Sequence, residues 1–181
     1  KTLFEQNGWA APKTSDDLMT LSQTIQDAGI MPFSGSNSEW RPANEWYASA
    51  FFTVVARPQA VYDALSRTRP WTDAAFVDAI GALDALQQNS WISGGLENYY
   101  TITTDEYWNA FGAGEAAMVI EGSWAMGNIG DNFGEAAGNS NDWDWVPFPS
   151  ASGEDTFAIG VGSTYSINAS SKVPDAAADY L

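Results

Sequence analysis

The 181-residue chain has no cysteine and no histidine, and only seven lysines and arginines. Without cysteine there is no disulfide, no thiolate nucleophile and no thiolate zinc cluster. Without histidine there is no Ser-His-Asp triad and no imidazole metal site. Against the seven cations stand 23 Asp and Glu, for a formal net charge of −16. The acids are scattered singly and in pairs, so the imbalance comes from scarce Lys and Arg rather than from acidic blocks. Such a surface repels nucleic-acid phosphates and anionic lipid head groups, which excludes those partners. No apolar run approaches the ~20 residues of a membrane span. No basic-then-apolar leader stands at Lys1, so a removed signal or an internal fragment is expected. Nothing implies a cofactor or a metal ion.

What is present suits a soluble globule, with 45% hydrophobic and 17% charged residues. A first helix is signposted by Thr14 and Asp17 in capping-box spacing, with Leu18, Leu21, Ile25 and Ala28 on one face and Gly29 closing it. A short strand, Ile30 to Phe33, ends in the turn-rich Ser34-Gly35-Ser36-Asn37-Ser38. A second helix carries Tyr47, Ala50, Phe51 and Val54 and stops at Pro58. A third starts at Thr72, with Trp71 and Phe76 as a hydrophobic staple. A fourth opens on the Thr103 and Glu106 capping box and leads through Gly112 and Gly114 into a buried strand, Ala117 to Glu121. Gly122-Ser123-Trp124 then turns into a short helix. Two more strands are expected, at Trp143 to Phe148 and Thr164 to Asn168, before a last helix with Pro174 in its first turn. Helices separating few strands predict an α/β or mixed α+β class.

Nine tryptophans are the unusual feature. Sugars offer apolar C–H faces ringed by hydroxyls, so a site grips them by aromatic stacking and a few fixed polar groups. For about two in three of these tryptophans core packing is the better explanation. Trp46 and Trp108 fall within helices, Trp71 staples a helix start, and Trp143 and Trp145 share one face of a strand turned to a core. Trp40 and Trp124 differ, because each follows a strand beside small or polar turn residues, where ligands settle in α/β sheets. Glu39 and Arg41 flank Trp40 and can fork hydroxyls; Glu121 and Ser123 accompany Trp124 at a helix start with free backbone N–H groups. On position alone, ligand contact and shielding of the sheet rim stand level.

Other patterns are weaker. Gly112-Ala113-Gly114-Glu115-Ala116-Ala117 resembles a dinucleotide fingerprint but precedes a strand, where the motif must follow one. Asn139 to Asp144 has the composition of a calcium loop without its sixth-position glycine. Asn168-Ala169-Ser170 is a glycosylation sequon by pattern alone. Gly160 and Gly162 read as a hinge rather than a close backbone approach to a ligand.

Four segments in order carry a family resemblance. They are Phe4-Glu5-Gln6-Asn7-Gly8-Trp9 with Ala11-Pro12-Lys13-Thr14, then Gly114 to Ala125, then Val146-Pro147-Phe148-Pro149, then Gly160 to Lys172. The chain resembles family 1 extracellular solute-binding proteins, a layout shared by the maltose-binding protein group. The resemblance implies a helix-rich lobe of a type II periplasmic-binding-protein fold with a small mixed sheet. It implies a sugar held between two lobes and delivered to ABC transporter permease subunits, with extracytoplasmic localisation in the periplasm or as a surface lipoprotein. It places Trp124 as the stacking residue, with Trp40 and Arg41 nearby and Glu39, Glu121 and Ser123 as further candidates. Family members run to about twice this length, so residues 1–149 are expected to be the second lobe. Residues 150–181 would be a crossover returning to a first lobe that is missing here, free to dock opportunistically or exchange between copies. Two rivals stay open: a glycoside hydrolase fragment using Glu39 and Glu121, and an exported adhesion or scaffold module.

Overall fold

The computed structural model describes residues 1–39, 43–127, 129–158 and 165–181. Helix α1 spans Thr2–Asn7, a short element with no sequence signal of its own. Helix α2, Ser15–Asp27, starts where expected: the Thr14 hydroxyl accepts from Asp17 N–H at 3.1 Å while the Asp17 carboxylate accepts from Thr14 N–H at 2.9 Å. It buries Leu18, Ser22 and Ile25 and ends before Gly29, whose φ of 78° suits glycine.

Strand β1, Met31–Phe33, pairs in parallel with β2, Ala116–Met118, in the register Met31 to Ala116 and Phe33 to Met118. On its other side Phe33 bridges Ile92, also parallel. The sheet is therefore narrow and parallel among the described residues, simpler than the mixed sheet expected. Residues 143–148 form no strand, and neither do residues 165–168. Among the described residues no strand lies beside the 143–148 segment to complete its backbone hydrogen bonds. Trp145 does not face a core; it is well exposed, whereas Trp143 packs against buried aromatics.

Helix α3, Ala43–Phe51, continues as a π-helical turn through Phe52–Ala56. Arg57 follows at φ 77°, ψ 148°, and Pro58 then opens α4, Pro58–Leu65, at its first position. Proline here starts a helix rather than stopping one, because its missing N–H is an orphan donor anyway. Helix α5, Ala74–Gln88, is capped by Asp73, whose carboxylate accepts from Ala75 N–H at 3.0 Å. Trp71 and Phe76 meet at 4.7 Å between centroids, so the staple contact forms around a cap one residue later than expected. Helix α6, Leu96–Tyr99, is a single turn, and α7, Thr104–Ala113, carries the second capping box intact. Three 3₁₀ turns follow, at Ser123–Gly127, Ile129–Asn132 and Glu135–Ala137, and α8 spans Pro174–Tyr180.

Two apolar clusters hold these parts together. The larger joins Phe33, Tyr47, Phe51, Phe76, Leu86 and Ile92 between the sheet and helices α3 to α5. The smaller joins Tyr107 and Trp108 of α7 to Ala125 and Ile129 of the 3₁₀ turns. Asn139 and Asn141 fasten the following loop: Asn139 donates to the Asn132 carbonyl at 3.0 Å and Asn141 to the Gly112 carbonyl at 2.9 Å. These amides serve the backbone, which accounts for the polar composition of this loop.

Candidate functional site

The site grows from the C-terminal end of β2. After Met118 the chain runs through Val119 and Ile120 to Glu121, then turns at Gly122 into the 3₁₀ segment that carries Trp124. Ala125 is buried and its N–H bonds the Gly122 carbonyl at 3.1 Å, pinning the turn inward. Trp124 projects outward and is 63% exposed. Met126 on the same turn is exposed as well, so the turn leaves two large apolar side chains in water.

The protein-facing side of this ring is nonetheless well defined. Its six-membered ring lies against Gly122, where a β-carbon would overlap it. Trp46 of α3 meets it edge-on at 5.6 Å and 69°. Trp46 is itself tethered, its indole N–H donating to the Ile120 carbonyl at 3.2 Å. The Trp124 N–H donates to Glu121 Oε2 at 2.8 Å, and the Tyr107 hydroxyl donates to Glu121 Oε1 at 2.9 Å. Burial raises the Glu121 carboxyl above the usual glutamate range, while the bonds from Tyr107 and Trp124 and the Gly122 backbone pull it back down. Burial and the Glu121 charge raise the Tyr107 phenol, which keeps its proton and remains a donor.

Of the candidate residues, Trp124, Glu121 and Ser123 lie together, with Ser123 exposed at the first position of the 3₁₀ turn. Glu39 is engaged elsewhere. Its Oε2 accepts from Thr104 N–H at 2.7 Å, satisfying an orphan donor in the first turn of α7, and this bond lowers its carboxyl from the ordinary value. Trp40 and Arg41 lie outside the described residues, as do Gly160 and Gly162.

Sequence reasoning missed Trp46, Tyr107 and Gly122. The sequence carried no separate signal for Tyr107: with Trp108 and Phe111 it falls within about 100° of one helix face, and all three do join the same apolar cluster. A shallow cavity of about 370 Å³ opens elsewhere, between Met31, Ser34, Asn98 and Glu106. Trp124 and Glu121 are not among its walls, and Glu106 there is consumed by the Thr103 capping box. Among the described residues, the Trp124 site is a flat plate with supports.

The Gly122 contact makes a prediction. Gly122→Ala forces the Trp124 ring to swing, which an exposed side chain can do cheaply, so thermal stability should change by no more than about 0.5 kcal/mol. The swing should weaken the contact with Trp46 and the bond to Glu121, so the indole emission should shift while the melting temperature stays put. Paired melting and tryptophan fluorescence read both, and an unchanged emission would contradict the close contact with Gly122.

Comparison with solved structures defines the class. The chain is similar to a chitin oligosaccharide binding protein, at 29% identity and a TM-score of 0.64, over 72% of this chain and 32% of that one. It is similar to the solute-binding protein RafE solved with raffinose, at 25% identity and 0.59, over 73% of this chain and 35% of that one. The bacterial solute receptor AcbH, described as preferring β-D-galactopyranose, shares the fold at 19% identity and 0.62, over 83% and 36%. The chain spans about a third of the length of these proteins. Its architecture is a helix-rich α/β lobe of the periplasmic-binding-protein fold. The chain belongs to the bacterial extracellular solute-binding protein family, whose model matches residues 1–181. A search of curated proteins returns no significant match.

Proposed function

We propose that this chain is one lobe of a non-catalytic receptor that binds a mono- or oligosaccharide and delivers it to an ABC transporter permease outside the cytoplasm. The carrying observation is Trp124, exposed at the end of β2 yet buttressed by Gly122, Trp46 and Glu121. A buttressed indole offers a flat apolar face that matches the C–H face of a pyranose at little entropic cost. Family membership and the similarity to proteins described with chitin oligosaccharide and raffinose support a saccharide over other solutes. Trp40, Arg41 and Ser123 are the proposed neighbours of the plate, and Gly160 and Gly162 the proposed hinge.

The division at residue 149 is part of this reading. Ser150 is fully buried, and its carbonyl accepts from Ser15 N–H at 3.2 Å. Arg57 pairs with Glu154 at 2.7 Å, so the segment stays fastened to the lobe this far. Beyond it α8 buries no residue, and Tyr165, Val173, Tyr180 and Leu181 are all well exposed. That apolar surface suits residues returning to pack on a first lobe.

A hydrolase needs two carboxyl groups flanking the scissile bond and available for proton transfer. Glu39 is engaged at the start of α7, and Glu121 is held between two donors, which argues against that role. Calorimetry on the intact receptor against chito-oligosaccharides, raffinose, xylo-oligosaccharides and galactose tests the proposal. Binding of at least one neutral saccharide without turnover is expected; silence across the panel, or cleavage of chromogenic glycosides, would overturn it.

A further inference from the structure

An exposed tryptophan on a surface turn would ordinarily sample several rotamers, and ordering it on ligand binding would cost affinity. Trp124 has a support that runs back into the core. Tyr107 is 8% exposed, lies on α7 and packs against the tilted ring of Trp108 at 5.0 Å, which holds its hydroxyl in place. That hydroxyl and the Trp124 N–H grip opposite oxygens of one carboxylate at 2.9 and 2.8 Å. Both bonds are charge-assisted, the stronger kind of hydrogen bond. Trp46 adds an edge-on contact to the ring at 5.6 Å.

We infer that Glu121 is a positioning residue, which fixes the angle of the Trp124 plate by clamping its indole N–H to the Tyr107 hydroxyl, rather than a residue that binds the saccharide directly. The assignment rests on the reading of Trp124 as the ligand plate. It changes the role of Glu121 from contact to support, and explains why a half-buried carboxylate is kept in a place that disfavours its charge. Among the described residues, the groups facing it are the neutral phenols of Tyr107 and Tyr47, the Trp124 indole and the Gly122 backbone. Because the folded carboxyl is raised above its unfolded value, the ionised form costs stability above the folded value. That cost is absent below the unfolded value, so stability falls as pH rises between the two. Glutamine keeps the geometry without that cost: its carbonyl accepts from Trp124, and its amide donates to the Tyr107 oxygen.

The experiment uses the intact receptor, labelled with ¹⁵N, and reads the indole N–H resonances without ligand. Trp124→Phe identifies the resonance that belongs to Trp124. In the wild type that resonance is expected to shift with pH as Glu121 titrates. Glu121→Gln should abolish the titration without lowering the melting temperature at pH 7. Glu121→Ala should move the resonance toward that of a free indole. A Trp124 resonance insensitive to pH and to both substitutions would overturn the clamp. A second arm measures affinity for raffinose and chito-oligosaccharides, whichever binds. Glu121→Ala should weaken binding about 5- to 30-fold and Glu121→Gln no more than about threefold. In a Trp124→Phe background, which has no N–H to clamp, the alanine effect should largely vanish. Losses that instead multiply independently would make Glu121 a direct sugar contact and overturn the assignment. If no saccharide binds, the saccharide reading falls, while the indole resonance still decides the clamp.

Discussion

Replacing Trp124 by alanine should weaken saccharide binding to the intact receptor by about 30- to 900-fold, or about 2–4 kcal/mol, without unfolding the lobe. The magnitude follows from what the ring supplies. A sugar face stacked on an indole loses both the covered apolar area and the pre-ordered orientation when the ring is deleted. The lobe loses little, since 63% of this residue is already in water and its contacts among the described residues include a glycine, a ring edge and a carboxylate. Melting should therefore stay within a few degrees of the wild type while calorimetry records the loss. An affinity within threefold of the wild type would remove Trp124 from the site.

Gly112→Ala should destabilise the lobe by about 2–3 kcal/mol, against the usual gain of about 0.5–1 kcal/mol when a helical glycine becomes alanine. Gly112 sits within α7, where a β-carbon would overlap the Asn132 carbonyl oxygen. Backbone on one side and helix on the other leave no flexible side chain to yield. Both are fastened further, the Gly112 carbonyl by Asn141 and the Asn132 carbonyl by Asn139. The seam between α7 and the 3₁₀ turns is also the seam between Tyr107 and Trp124, so opening it should weaken ligand binding as well. Urea unfolding reads the stability term directly, and a variant as stable as the wild type or more so would contradict the close approach.

What was legible in the sequence was local. The capping boxes at Thr14 and Thr103 form because three-residue spacing brings side chain and backbone together whatever the rest of the chain does. Trp124 stood out for the same reason, since a Gly-Ser turn after a strand places the next residue at the rim. The errors concern longer range. Pro58 opens a helix that the π-helical turn before it allows to change direction. Trp143 and Trp145 alternate as strand residues do, but among the described residues the segment lies beside no strand, and only Trp143 finds a cluster. The supports of the plate were hidden because they join distant segments: Trp46 reaches Ile120, 74 residues away, and Tyr107 reaches Glu121 across the turn after α7. Glu39 shows the converse, a plausible ligand residue beside Trp40 whose carboxylate is engaged by a helix that begins 65 residues later.

The most direct test of the account is a crystal structure of the intact receptor with its saccharide bound. A pyranose ring should lie parallel to the Trp124 indole at roughly 3.5–4.0 Å, on the face away from Gly122, with Glu121 still bridging Tyr107 and the indole N–H. A saccharide seated elsewhere, with Trp124 touching only protein, would contradict it.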